Sequence, residues 1–195
     1  MNKRILIIDG HPDAKGAHFV HELAHFYREG AKEGGHEVKV LHVGALRFPL
    51  LTSSRAYLKG KVPASIVASQ RLIRWSHHVV LLYPLWLGTM PAKLKGFLEQ
   101  VLRPGFAFES RGAGQHPHRL LKGRSARIIV TRGMPELFDE VDRSPRSIRN
   151  VAGDVLDVCG IRPVRITVIE GAETLSDVDR EKAHYDMRRL GATAK

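Results

Sequence analysis

Apolar positions along the chain fall into two patterns: short unbroken runs, and longer stretches at helical spacing. Residues 79–83 read Val-Val-Leu-Leu-Tyr. Five apolar residues without alternation mark a strand buried on both faces, as in the middle of a parallel sheet. Pro84 ends that strand, because it has no N–H for the ladder. Residues 4–9 (Arg-Ile-Leu-Ile-Ile-Asp) form a second such run. Residues 37–43, 125–131 and 164–169 predict three more strands. Helical spacing predicts a helix over 17–32, with Val20, Leu23, Ala24, Tyr27 and Ala31 on its buried face and Gly34-Gly35 closing it. A second helix, 63–75, turns Ile66, Leu72, Ile73 and Trp75 inward. Pro91 opens a third over 92–101, where its missing N–H costs nothing. Two more follow at 147–159 and 177–190. Residues 45–61 and 102–121 carry turn residues and predict irregular chain, and His77-His78 predicts a surface turn before the third strand.

Strand and helix alternate from end to end, which predicts a single α/β domain over 1–195. Right-handed crossovers then require a parallel sheet with helices on both faces. Five strands fit the order 2-1-3-4-5 of a flavodoxin-like sheet, whose ligand crevice opens at the carboxyl ends of strands one and three. Three loops meet there: residues 10–19, 84–88 and 131–134. No internal repeat or linker interrupts the pattern.

Composition changes this picture little. The chain has 195 residues, 43% hydrophobic and 26% charged, as soluble globular domains do. One cysteine, Cys159, excludes an internal disulfide and suggests a reducing compartment. No run is long enough to span a membrane and no cleavable leader is legible, so a cytoplasmic protein is expected. The formal charge of +11 raises nucleic-acid binding. The basic residues are scattered and no recognition motif accompanies them, so no specific nucleic-acid partner is expected.

Candidate chemistry concentrates in the three loops. The first leads into a helix N-terminus, whose unpaired N–H groups and positive end suit a phosphate, with His11 and His18 as added donors. Neither a Walker loop nor a dinucleotide fingerprint follows the first strand. His18, His21 and His25 share one helix face. Sequence shows no carboxylate or cysteine to complete a metal site with them, so none is expected. In the second loop Trp86 has a bland reading as a core aromatic. Its loop neighbours and the tight bend at Gly88 favour packing against a planar ring instead. No Ser-His-Asp or Cys-His arrangement is legible, and Cys159 reads as buried structure.

The segments His11-Pro12, Tyr83-Pro84-Leu85-Trp86-Leu87-Gly88-Thr89-Met90-Pro91-Ala92 and Arg103-Pro104-Gly105-Phe106-Ala107-Phe108 resemble the flavodoxin-like NAD(P)H:quinone oxidoreductases. That resemblance implies a tightly held FAD or FMN, NAD(P)H as hydride donor, a quinone or similar small-molecule acceptor, and a homodimer. It assigns His11, His18, Phe19 and Val20 to the flavin phosphate and ribityl chain. It assigns Pro84, Leu85, Trp86 and Leu87 to the flavin ring, and Thr131, Arg132 and Gly133 to its pyrimidine end. It offers no catalytic side chain. Two departures stand out. His18 and Val20 replace the usual Ser and Asn, and residues 137–147 lack the tyrosine and histidine that many relatives place over the ring. An alternative is therefore a weakly active or non-catalytic flavin-binding subunit, such as an ancillary protein of a membrane transporter.

Overall fold

The computed structural model describes residues 2–109, 115–133 and 146–195. Five parallel strands form one sheet: β1 (Arg4–Asp9), β2 (Glu37–His42), β3 (His78–Pro84), β4 (Arg124–Thr131) and β5 (Ile161–Ile169). Their order is β2-β1-β3-β4-β5, as the alternation predicts. β3 pairs with β1 on one side and β4 on the other. Ladder bonds on both edges and helices on both faces leave its first six residues buried, hence the unbroken apolar run.

Helices α1 (Phe19–Glu33), α2 (Ala64–Trp75), α3 (Ala92–Val101), α4 (Arg146–Asn150, continued as a π-helix over Val151–Asp157) and α5 (Asp177–Thr193) connect and cover the strands. Alternate residues of each strand feed two cores. Ile5, Ile7, Val80 and Leu82 pack with α1 and α5. Leu6, Ile8, Val79, Leu81 and Tyr83 pack with α2, α3 and the region of α4. Each such buried side chain contributes about 1.5–3 kcal/mol relative to exposure. The predicted buried face of α1 is the observed one, with Gly30 added. α1 and α5 touch backbone to backbone there: a Cβ on Gly30 would lie 2.0 Å from the Arg188 carbonyl oxygen, and one on Gly191 2.2 Å from that of Tyr27.

Several expectations need correction. A 3-10 turn at Val43–Ala45 leads into residues 45–61, which contain a helix at Ser54–Lys59 capped by the Ser53 hydroxyl. Arg103, only 4% exposed, donates to the carbonyls of Gly60 (2.9 Å) and Ala56 (2.7 Å) and fastens that helix. Within 102–121 a two-residue ladder joins Phe108–Glu109 to His118–Arg119. β5 starts at Ile161, three residues before the predicted start; as the sheet's edge strand it accommodates Pro163. Leu72 and Trp75 are half-buried; Lys39 covers the Trp75 ring at 4.3 Å. Among the described residues no helix is long and apolar enough to cross a membrane.

His78 is no surface turn. It opens β3, is 2% exposed, and hydrogen-bonds Ser125 Oγ through Nδ1 at 2.8 Å. Burial, reinforced by nearby cations, pushes its imidazole down to about 3. Below about pH 6.5 the unfolded chain binds a proton that the folded chain refuses until about pH 3, so acid favours unfolding across that window. The unfolding free energy is expected to fall with decreasing pH more steeply in the wild type than in His78→Leu, by up to about 1.4 kcal/mol per pH unit from this group. Urea titrations at a series of pH values check this; parallel curves would contradict it. Gly30→Val is expected to cost about 1–3 kcal/mol through overpacking against α5, read as a lower urea midpoint.

Candidate functional site

Right-handed crossovers carry the chain from β1 to α1 on one face and from β3 to α3 on the other, so the loops after β1 and β3 part. The loop after β4 closes the third side: the Leu85 N–H donates to the Thr131 carbonyl at 2.8 Å and the Arg132 N–H to the Ile169 carbonyl at 2.9 Å. A cleft of about 1110 Å³ opens between them. His11, His18, Phe19 and Val20 line it from the first loop and α1; Pro84, Leu85, Trp86 and Leu87 from the second; Thr131, Arg132 and Gly133 from the third. All eleven residues singled out in the sequence therefore share one cavity. Met134 and most of the divergent 137–147 segment fall outside the described residues; Ser147 falls inside and donates to the Gly88 carbonyl at 2.6 Å.

The second loop is a tight turn. Trp86 and Thr89 exchange backbone hydrogen bonds, 2.8 Å from the Trp86 N–H and 2.9 Å from that of Thr89. The two residues between them have positive φ, +48° at Leu87 and +74° at Gly88. Gly88 adopts this freely. Leu87 does so at a cost of about 1–2 kcal/mol, since its Cβ crowds the backbone there. Leu87 is also 89% exposed and Trp86 49%. The protein thus holds an apolar turn tip in a strained conformation without using it to fill its own core. Such strain gathers at binding sites.

α1 starts bare. No described side chain caps it, His18 stands at the cap position in extended conformation, and the first helical residues Phe19 and Val20 border the cleft. Val20 is 2% exposed with its side chain in the core, so its backbone N–H is what it offers a ligand. Phe19 is covered by Arg180, whose guanidinium sits 4.9 Å from the ring centroid. Arg180 in turn pairs with Glu22 at 2.8 Å, and His184 meets the same carboxylate at 3.2 Å. Asp13 is bound by His18 Nε2 at 3.0 Å and by the Lys15 N–H, which lower its carboxyl to about 2. The acidic groups Asp13 and Glu22 are thereby offset, and the helix start keeps its positive end. His11 is 6% exposed, and burial keeps its imidazole below the usual value. It stacks on His18 at 3.7 Å between centroids and meets Trp86 edge-on at 5.9 Å. Arg132 brings a guanidinium to the cleft, held by Glu170 at 3.2 Å.

These residues fit a flavin. The exposed indole and leucine offer a face for a flat ring, the uncapped helix start offers N–H groups to a phosphate, and the volume exceeds the usual range for a single small ligand. Sequence reasoning missed Glu22, Glu173 and Arg180, which reach the cleft from helix and loop positions with no local motif to mark them. Cys159 is 2% exposed, and burial pushes its thiol up to about 12, as expected of a structural cysteine.

Residues 3–190 match the Flavodoxin_2 family, described as a flavodoxin-like fold. An uncharacterized NAD(P)H oxidoreductase of Haemophilus influenzae is 26% identical over 97% of this chain and 94% of its own length. A Pseudomonas aeruginosa protein named FMN-dependent NADH:quinone oxidoreductase 3 is 32% identical over 51% of this chain and 44% of its own length. The chain spans 33–58% of the length of the ribosyldihydronicotinamide dehydrogenase-like protein of Penicillium crustosum and of the mammalian quinone dehydrogenases that it matches. A solved structure, the NAD(P)H:quinone oxidoreductase from Methanothermobacter marburgensis, superposes with a TM-score of 0.82 at 25% identity over 100% of both chains. With its sheet order, its cleft and the match over residues 3–190, the chain belongs to the Flavodoxin_2 family of flavodoxin-like folds.

Proposed function

We propose that this protein is a flavin-dependent NAD(P)H oxidoreductase that delivers two electrons to a quinone or a similar small acceptor. The observation that carries the reading is the exposed, strained Trp86–Thr89 turn beside an uncapped helix start. FMN is the flavin we favour, because one helix terminus suits one terminal phosphate and a relative bears that cofactor in its name. When bound, the flavin supplies the hydride and electron chemistry. The chain's part is to bind and to orient. Trp86 and Leu87 would bury apolar surface against the ring. The N–H groups of Phe19 and Val20 would take the phosphate, with His11 beside them as an uncharged donor or acceptor. Arg132 would place positive charge where the reduced ring gathers negative charge, which favours reduction.

The large apolar turn and the open cleft leave room for donor and acceptor to use one face in succession. We also propose a homodimer. An apolar groove of about 570 Å³, bordered by Tyr57, Leu98, Leu102, Phe108 and Val155, supports that reading as surface for a second copy to cover.

Reconstituted protein is expected to oxidise NADH or NADPH in the presence of menadione; no oxidation above the free-flavin control would refute the proposal. Trp86→Ala is expected to weaken FMN binding roughly 10–100-fold, the value of burying an aromatic side chain, read by quenching of flavin fluorescence. Unchanged affinity would return Trp86 to a purely structural role. Leu87→Gly is expected to raise the unfolding free energy by up to about 1 kcal/mol by relieving the left-handed leucine, while weakening FMN. Light scattering is expected to give twice the 21.8 kDa chain mass; a monomer at micromolar concentration would remove the dimer.

A further inference from the structure

Behind the first loop lies a second cluster that the flavin reading does not use. Asp9 ends β1 with its carboxylate 0% exposed. Its Oδ1 accepts the His11 N–H at 3.1 Å, which fixes the group's orientation. Its Oδ2 faces two imidazoles through the same atom of each ring, His21 Nδ1 at 2.5 Å and His42 Nδ1 at 3.2 Å. Three elements meet there: β1 gives Asp9, the first turn of α1 gives His21, and the end of β2 gives His42, the register partner of Asp9. The three donor atoms all lie within 4.8 Å of one another.

The hydrogen-bond bookkeeping is incomplete without a cation. His21 Nε2 lies 3.0 Å from the Asp13 carbonyl oxygen, a contact that only a protonated Nε2 makes attractive. In a neutral ring that leaves Nδ1 with a bare lone pair, aimed at a carboxylate oxygen. Two acceptors in contact repel, so the arrangement calls for positive charge between the two atoms. Metal-binding histidines have their far N–H anchored on a carbonyl, carboxylate or water, and the Asp13 carbonyl is placed to do this for His21. Solvent reaches the cluster from the side of His42, whose side chain is half exposed.

We propose that Asp9, His21 and His42 bind one divalent cation of the zinc class, with water completing its coordination. Two imidazoles and one carboxylate are the donor set of open zinc sites, whereas calcium and magnesium favour all-oxygen shells. The neighbouring trio His11, His18 and His21 also has its donor atoms within 4.8 Å. Its rings are already engaged: His11 Nδ1 with the Asp13 backbone, and His18 Nε2 with the Asp13 carboxylate. His25, on the helix face shared with His18 and His21, bonds Arg28 instead. The ion would tie β1, β2 and α1 together one turn behind the phosphate end of the cleft.

The test is a cobalt(II) titration of chelator-treated, tag-free full-length protein, followed by visible absorption and by displacement with zinc. The expected result is one equivalent of cobalt per chain, with ligand-field bands stronger than those of the aquo ion and removed by zinc. His42→Ala and Asp9→Asn are expected to weaken binding at least about tenfold, and His25→Ala to leave it unchanged. Should the buried Asp9 variant fail to fold, the half-exposed His42 variant decides alone. Bands no different from aquo cobalt, unchanged affinity in His42→Ala, or a signal lost in His11→Ala but kept in His42→Ala would overturn the proposal. The titration is run with and without FMN, so a failure of flavin binding leaves its readout intact.

Discussion

The cleft exists because β3 is paired in parallel on both edges. With β1 on one side and β4 on the other, its backbone has no freedom to tilt, and its side chains fill both cores. The chain must then leave β1 and β3 toward opposite faces of the sheet. No side chain has to carve the crevice; topology opens it, and the loops only furnish it. The unpaired carboxyl ends of three parallel strands are also where helix starts point, which makes the same place suitable for a phosphate.

What the loops add is local and costs stability. Leu87 stands in left-handed backbone with most of its surface in water, two departures from what folding alone favours. α1 begins without a capping side chain, which elsewhere is worth about 1 kcal/mol. A ligand with a flat apolar body and an anionic end in the cleft would offset both departures. Around them charged groups are paired or hydrogen-bonded: Glu22 with Arg180 and His184, Asp13 with His18, Arg132 with Glu170. The cleft thus joins an apolar turn at Trp86 and Leu87 to an uncapped helix start flanked by charged groups of both signs.

Sequence made the central strands legible because burial on both faces writes an unbroken apolar run, as in Ile5–Ile8 and Val79–Tyr83. Topology made the three loops of the cleft legible, and the family resemblance named eleven of its residues, but nothing local marked Glu22, Glu173 or Arg180. Sequence failed where the deciding contact lies far along the chain. Ser54–Lys59 is too short to show periodicity and owes its place to Arg103, more than forty residues on. His78 looks like turn sequence beside His77, yet its pairing with Ser125 puts it inside the sheet. The edge strand β5, exposed along much of its length, carries a weaker apolar signal than the central ones. The carboxylate missing from the histidines of α1 is Asp9, which only the fold brings beside His21 and, across the β1–β2 register, beside His42.

The central claim is that a flat flavin fills the crevice above β1, β3 and β4. The absorption spectrum of the purified protein, followed by identification of the chromophore released on denaturation, tests it most directly. The account predicts a yellow protein, or one that turns yellow on reconstitution, releasing FMN in a one-to-one ratio with the chain. A protein that stays colourless after incubation with FMN and FAD would contradict it.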